Sequence, residues 1–177
     1  AFDILTEMDP RDVQTRADVL FSTSDEWYEM KCFGRDICIS MAERSVFGKS
    51  ESGDNLVDEL GDLLRLSMLI YLIHAKDIPL SGILVRPSDL PGGIIYVKGT
   101  HVLPLDKIAQ RYDCNAEDFS RKSGELGGTL LGYGNMSHIL CPFPRIPVVI
   151  IVWSGDDEFP PRCSLLFDSS CTHHMPT

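Results

Sequence analysis

The stretch 55–75 constrains this chain more than any other part of it. Leu56, Leu60, Leu63 and Leu64 recur at helical spacing and lead into the unbroken apolar block 68–73. Asp54, Asp58, Glu59 and Asp62 crowd the start, where carboxylates meet the positive end of a helix dipole. The pattern predicts a helix of about 20 residues, open to solvent on one side early and buried nearly all round later. Such a helix has to be wrapped by other elements, so it is expected at the centre of the core. With 44% hydrophobic residues in 177, the chain has enough apolar surface for one domain to do this. Neither of the longest apolar runs, 68–73 and 146–153, approaches the roughly 20 residues of a membrane-crossing helix.

The remaining elements follow from local signals. Asp9-Pro10 suits a helix start, and Val13, Ala17, Leu20 and Phe21 share a face, so a helix is expected over 9–21. Residues 27–33 and 37–41 read as a β-hairpin about Gly34, followed by a polar loop at 48–54. Pro79, Gly82, Pro87, Pro91, Gly92 and Gly93 make 79–93 a structured connection with one short strand at 83–85. Helices are expected at 104–112 and 116–123, the second capped by Asn115, and strands at 138–141, 148–153 and 163–167. Strands thus gather at both ends with helices between them. That order predicts a single α+β domain spanning 1–177, with an antiparallel or mixed sheet built from the N-terminal hairpin and the C-terminal strands and packed on the long helix.

Charge narrows the function classes. There are 26 acidic and 16 basic side chains, a net charge of −10, so no basic excess exists to meet nucleic acid or an anionic bilayer. Asp3, Glu7 and Asp9 stand where a secretory signal needs a basic start and an apolar core, and a cytoplasmic location is expected. The six cysteines include no CxxC pair, and reduced structural thiols are the expected state. If Gly34-Arg35 forms a two-residue loop, Cys32 faces Ile37 and Cys38 points to the other side, so the two do not meet.

Three stretches invite a chemical reading. Closely spaced glycines in 124–134, Gly127 and Gly128 among them, let backbone N–H groups approach an anion. The stretch nevertheless lacks both GxxxxGK[ST] and a GxGxxG that opens a helix after a strand. Asp156, Asp157 and Glu158 follow the most hydrophobic strand, but the alternating carboxylate ladder of a calcium loop is absent. His101 occupies a loop before a helix, and Cys171-Thr-His173-His174 supplies part of a soft ligand set that Cys163 would have to complete. There is no GxSxG elbow, HExxH or kinase motif, so no catalytic residue and no metal site is assigned.

Taken together, Pro142-Phe-Pro-Arg-Ile-Pro147, Val152-Trp-Ser-Gly-Asp-Asp-Glu-Phe-Pro-Pro161, Leu165-Leu-Phe-Asp-Ser169 and His174-Met-Pro-Thr177 resemble the domain-of-unknown-function family 3786. Ser88-Asp-Leu-Pro-Gly-Gly93, Gly99-Thr-His101 and Leu126-Gly-Gly128 resemble its recurring turns. The resemblance runs from Asp9-Pro10 onward and is most specific from Trp153 to Asp168. It implies a domain of anaerobic bacteria and archaea, in many members joined to an iron-sulfur module. No CxxCxxxxC run is present here, so the cluster does not carry over. The chain also stops where the family's last helix is expected to begin.

The first expectation is therefore a non-catalytic accessory or ligand-binding domain linked to anaerobic cofactor or metalloprotein metabolism. Its pocket would be formed by Gly127, Gly128, Asp156, Asp157, Glu158 and His101, and its partner would be a protein or a small-molecule cofactor. An alternative is a metal-dependent, hydrolytic enzyme that joins the acidic turn to His101 or His138. A third is an acidic module that docks a basic protein.

Overall fold

The computed structural model describes residues 1–99 and 101–176. Thr100 and Thr177, which stand in two of the motifs above, lie outside the described residues, as does the expected start of a last helix at Thr177. The described chain is α+β, with six α-helices and two antiparallel sheets. It divides into two compact units. One comprises Ala1–Leu80, Cys141–Ile146 and His173–Pro176, the other Ser81–Leu140 and Pro147–Thr172. Strands from the two ends do not share a sheet. Those before residue 49 follow one another through short turns, and each pairs with its neighbour in sequence, which closes a meander without help from the C-terminal strands.

In the first unit, α1 (Phe2–Thr6) precedes α2 (Pro10–Ala17), where the Asp9 carboxylate accepts from Arg11 N at 2.9 Å and proline opens the helix. α2 ends sooner than its apolar stripe suggests. Asp18 turns left-handed, with φ 54°, and Leu20 and Phe21 pass into strand β1 (Leu20–Ser22). β1 then pairs with β2 (Trp27–Cys32), β2 with β3 (Arg35–Ser40), and β3 with β4 (Ser45–Gly48).

The β2–β3 turn is Phe33-Gly34, one residue earlier than Gly34-Arg35. Both residues take positive φ, 47° and 74°, as a type I′ turn requires. Cys32 therefore pairs with Arg35 and Cys38 with Glu29, and both thiols are buried and free.

The segment expected as a loop at 48–54 is instead the end of β4 and the first turn of α3 (Glu51–His74). Ser50 Oγ accepts from Gly53 N, and Asp54 Oδ1 accepts from Gly48 N at 2.9 Å. A Cβ on Gly48 would come within 2.2 Å of Asp54 N, so only glycine permits this junction. α3 buries Leu56, Val57, Leu64, Met68, Tyr71 and Leu72, as the apolar pattern demands. Tyr71 ties several segments together. Its hydroxyl donates to Ala17 O at 2.7 Å and accepts from Arg145 N at 3.2 Å, while its ring stacks on Phe143.

The second unit opens with β5 (Leu84–Val85), two short 3-10 helices at Pro87–Asp89 and Gly93–Tyr96, α4 (Leu105–Tyr112) and α5 (Ala116–Glu125). Asn115 caps α5 as expected, its Oδ1 accepting from Asp118 N at 3.3 Å. β6 (Thr129–Leu130), β7 (Met136–Phe143), β8 (Ile146–Trp153) and β9 (Arg162–Asp168) complete a sheet of order β5-β9-β8-β7-β6, and α6 (Cys171–His174) follows. Phe119, Met136 and Val152 form a core to which Ile108, Tyr112, Ile150 and Cys163 are added.

Candidate functional site

Within the second unit, a cleft of about 380 Å³ opens between β9, the start of α4 and the two 3-10 helices. Its geometry begins at Arg86. The Arg86 guanidinium and backbone N–H both bond the Asp89 carboxylate, and Asp89 N donates back to Arg86 O at 3.0 Å. The hydrogen bond from the Arg86 guanidinium is also the main reason that the Asp89 carboxyl is held below its ordinary range. Gly93 then packs directly on this turn, since a Cβ there would sit 1.7 Å from Pro87 O. The two 3-10 helices are thereby locked together as one wall.

The apolar lining is Val97, Val102, Leu103, Leu105 and Leu165, and the polar groups set among it are Arg86, Ser88, Tyr96, Asp106 and Ser164. Cys163 supplies a thiol. Burial, helped by the nearby Asp106 carboxylate, pushes that thiol up to about 11, so at neutral pH it is a protonated, weakly polar lining group. A nucleophilic cysteine needs the opposite shift. The lining is about equally polar and apolar, and the volume falls in the range of small-molecule sites, roughly 300–1,000 Å³.

The glycines singled out in the sequence stand at a helix end. Gly127, at φ 68°, is the left-handed residue that ends α5. Its N–H donates to Gly124 O at 2.9 Å and that of Gly128 to Ser123 O at 2.8 Å, the paired bonds of a Schellman cap. A Cβ on Gly128 would lie 2.7 Å from both Ser123 O and Leu140 Cδ2. These N–H groups are spent on the helix end, and the glycines are needed for chirality and close approach.

In the acidic turn, one of the three carboxylates is bonded within the turn. Asp156 Oδ1 accepts from Glu158 N at 2.9 Å and Phe159 N at 2.8 Å, and these two bonds hold its carboxyl below its ordinary range. Gly155 N is anchored by Asp113 Oδ1 at 2.9 Å, and Asp157 and Glu158 are exposed. Arg162 lies over the Trp153 ring at 4.5 Å beside this turn.

His101 is exposed and sits one residue before Val102 and two before Leu103, both of which line the cleft. Of the residues expected to bind a ligand, it is the one adjoining the cleft in sequence. His138 lies on β7, buried, its ring edge against Phe119 at 5.2 Å and its Nδ1 without a hydrogen-bond partner. Burial lowers its pKa. Cys171 is buried as well. Among the described residues, no three His, Cys, Asp or Glu side chains gather as a metal ion would require. The acidic turn and the histidines thus do not assemble the ligand set that the metal-dependent reading needs.

One carboxylate escaped the sequence reading. Asp168, in the Leu-Phe-Asp-Ser stretch, is 3% exposed. It accepts from Ser81 N and Oγ, Gly82 N, and Ser170 N and Oγ, at 2.6–3.0 Å. Burial alone would raise its pKa, but the donors from Ser170 and Ser81 outweigh it and hold the carboxyl far below its ordinary range. The available signal was an acid closing an apolar strand and followed at once by two serines.

An α+β chain with a lined cleft and no gathered metal ligands is defined by these observations, and its family can now be stated. The chain belongs to the family described as Domain of unknown function (DUF3786), whose model matches residues 9–177. No curated protein and no solved structure matches it. No helix among the described residues is long and apolar enough to cross a membrane.

Proposed function

We propose that this domain is a non-catalytic binding module that takes a small organic ligand in the cleft bounded by Arg86, Tyr96, Asp106 and Cys163. The cleft lining carries this reading: apolar side chains from Val97, Val102, Leu103, Leu105 and Leu165 set among Tyr96, Asp106 and the Asp89-paired Arg86, and a thiol too weakly acidic to act as a nucleophile. The ligand that fits has an apolar body and polar groups at its ends, and organic cofactors are the class to try first. His101 belongs at the rim of such a site. The acidic turn and the Gly127–Gly128 cap shape the surrounding fold without touching the ligand.

The test is a ligand screen on the whole chain with two readouts. A panel of organic cofactors is scored by thermal shift, and each hit by its protection of Cys163 from slow alkylation, with the exposed Cys114 as internal reference. A true ligand slows Cys163 labelling and leaves Cys114 unchanged, and Tyr96→Ala weakens it. Hits that shift the melting temperature while leaving Cys163 labelling unchanged would place the site elsewhere and overturn the assignment.

A further inference from the structure

We infer that the exposed face of α3 around Gly61 docks a basic amphipathic helix of a partner protein, a role separate from the cleft of the second unit. In an unbroken helix Leu56, Leu60 and Leu63 would share one face, and the burial of Leu56 would extend to the others. It does not. Gly61 takes φ 55°, ψ −138°, a conformation that glycine alone adopts without strain, and it interrupts the helix at that point. Nothing lies within 4 Å of where its Cβ would be.

The consequence is a leucine patch in solvent. Leu60, Leu63 and Leu66 are 37%, 74% and 52% exposed, whereas Leu64 and Met68 beside them are buried. Leu63 and Leu66, both after the break and three residues apart, share a face of the helix, and exposed leucines so spaced mark a packing seam that a second helix can fill.

Charge identifies the occupant. Asp58, Glu59 and Asp62 are exposed in the same segment as the leucines, and Arg65 is the one Lys or Arg in 51–74. Arg65 reaches Asp62 at 3.3 Å and Asp58 only at 4.0 Å, and both carboxylates remain largely exposed. A helix with leucines on one face and lysines or arginines beside them complements this face in both shape and charge. A second copy of the chain does not, because pairing like faces would set these carboxylates against one another.

The experiment uses the whole chain and a labelled synthetic helix of about four turns, leucine on one face and lysine elsewhere, with binding read by fluorescence anisotropy. A control peptide replaces every lysine with glutamate. The expected result is saturable binding of the lysine peptide and none of the control. Leu63→Ser with Leu66→Ser should weaken binding by about tenfold or more, as should Asp58→Asn, Glu59→Gln and Asp62→Asn together. All five positions are on the surface, and circular dichroism confirms that each variant is folded. The inference is overturned by absence of saturable binding, by equal binding of both peptides, or by binding that the leucine substitutions leave unchanged, which would be charge attraction alone. Sedimentation showing a dimer that Leu63→Ser dissociates would put a second copy on the face and overturn it too.

Discussion

Asp156 and Asp168 stand on either side of β9 and use the same chemistry to different effect. Each carboxylate accepts N–H groups from the residues that follow it, and each is thereby held in its charged form. Asp156 does so in open solvent and shapes one turn. Asp168 does so when buried, and gathers donors from Ser81 and Gly82, 87 and 86 positions earlier in the chain. Water can replace the partners of the first carboxylate but not those of the second. Burial, not the hydrogen-bond pattern, decides which acid shapes a loop and which holds a fold together.

The sharpest way to break this comparison is Asp168→Ala. It strands several buried donors, each costing about 1–3 kcal/mol when left unpaired, and a loss of about 4 kcal/mol or more is expected in urea denaturation. A loss no larger than that of a surface substitution would show that the Ser81 loop does not depend on the carboxylate.

Acid titration follows. Because the folded pKa of Asp168 is depressed, its contribution is fully present above the unfolded value of about 3.9. It is lost as pH falls from there toward the folded value, because the unfolded state then binds the proton that the native state refuses. Stability measured from pH 6 to pH 2.5 should fall steeply below about pH 4 in the native chain and less steeply in Asp168→Asn. Parallel curves would remove Asp168 as the source.

Ser170→Ala deletes one charge-assisted donor, Oγ at 2.6 Å, and leaves the others. A loss of about 1.5–3 kcal/mol is expected, between the effects of the two aspartates. Asp156→Ala should change the melting temperature least, with a local effect seen as faster amide exchange at Glu158 and Phe159. A drop as large as that of Asp168→Ala would collapse the distinction.

Much of the fold was legible in the chain. Asp9-Pro10, Asn115 and the apolar spacing of α3 each announce a helix through interactions completed within a turn or two of themselves. The strands of the second unit fall where their apolar runs lie. The family was legible as well, from the residues between Trp153 and Asp168 above all. The candidate site was much less so. Gly127, Gly128 and the acidic turn drew notice because their composition resembles that of ligand loops, yet the N–H groups of the two glycines and the Asp156 carboxylate bond to their own neighbours.

What the sequence by itself determined is therefore part of what local bonds close: the capped starts of α2 and α5, the helical spacing within α3, the apolar runs of the C-terminal strands, and the net charge of −10. The tertiary structure decided the rest. The one-residue shift to a Phe33-Gly34 turn, the break at Gly61, the partners of Asp168 and the cleft from Arg86 to Leu165 all depend on atoms distant in the chain or on a choice between near-equal backbone conformations. Local propensity does not separate such alternatives. Burial and packing do, because they make one of them the lowest in free energy only after the chain has closed around it.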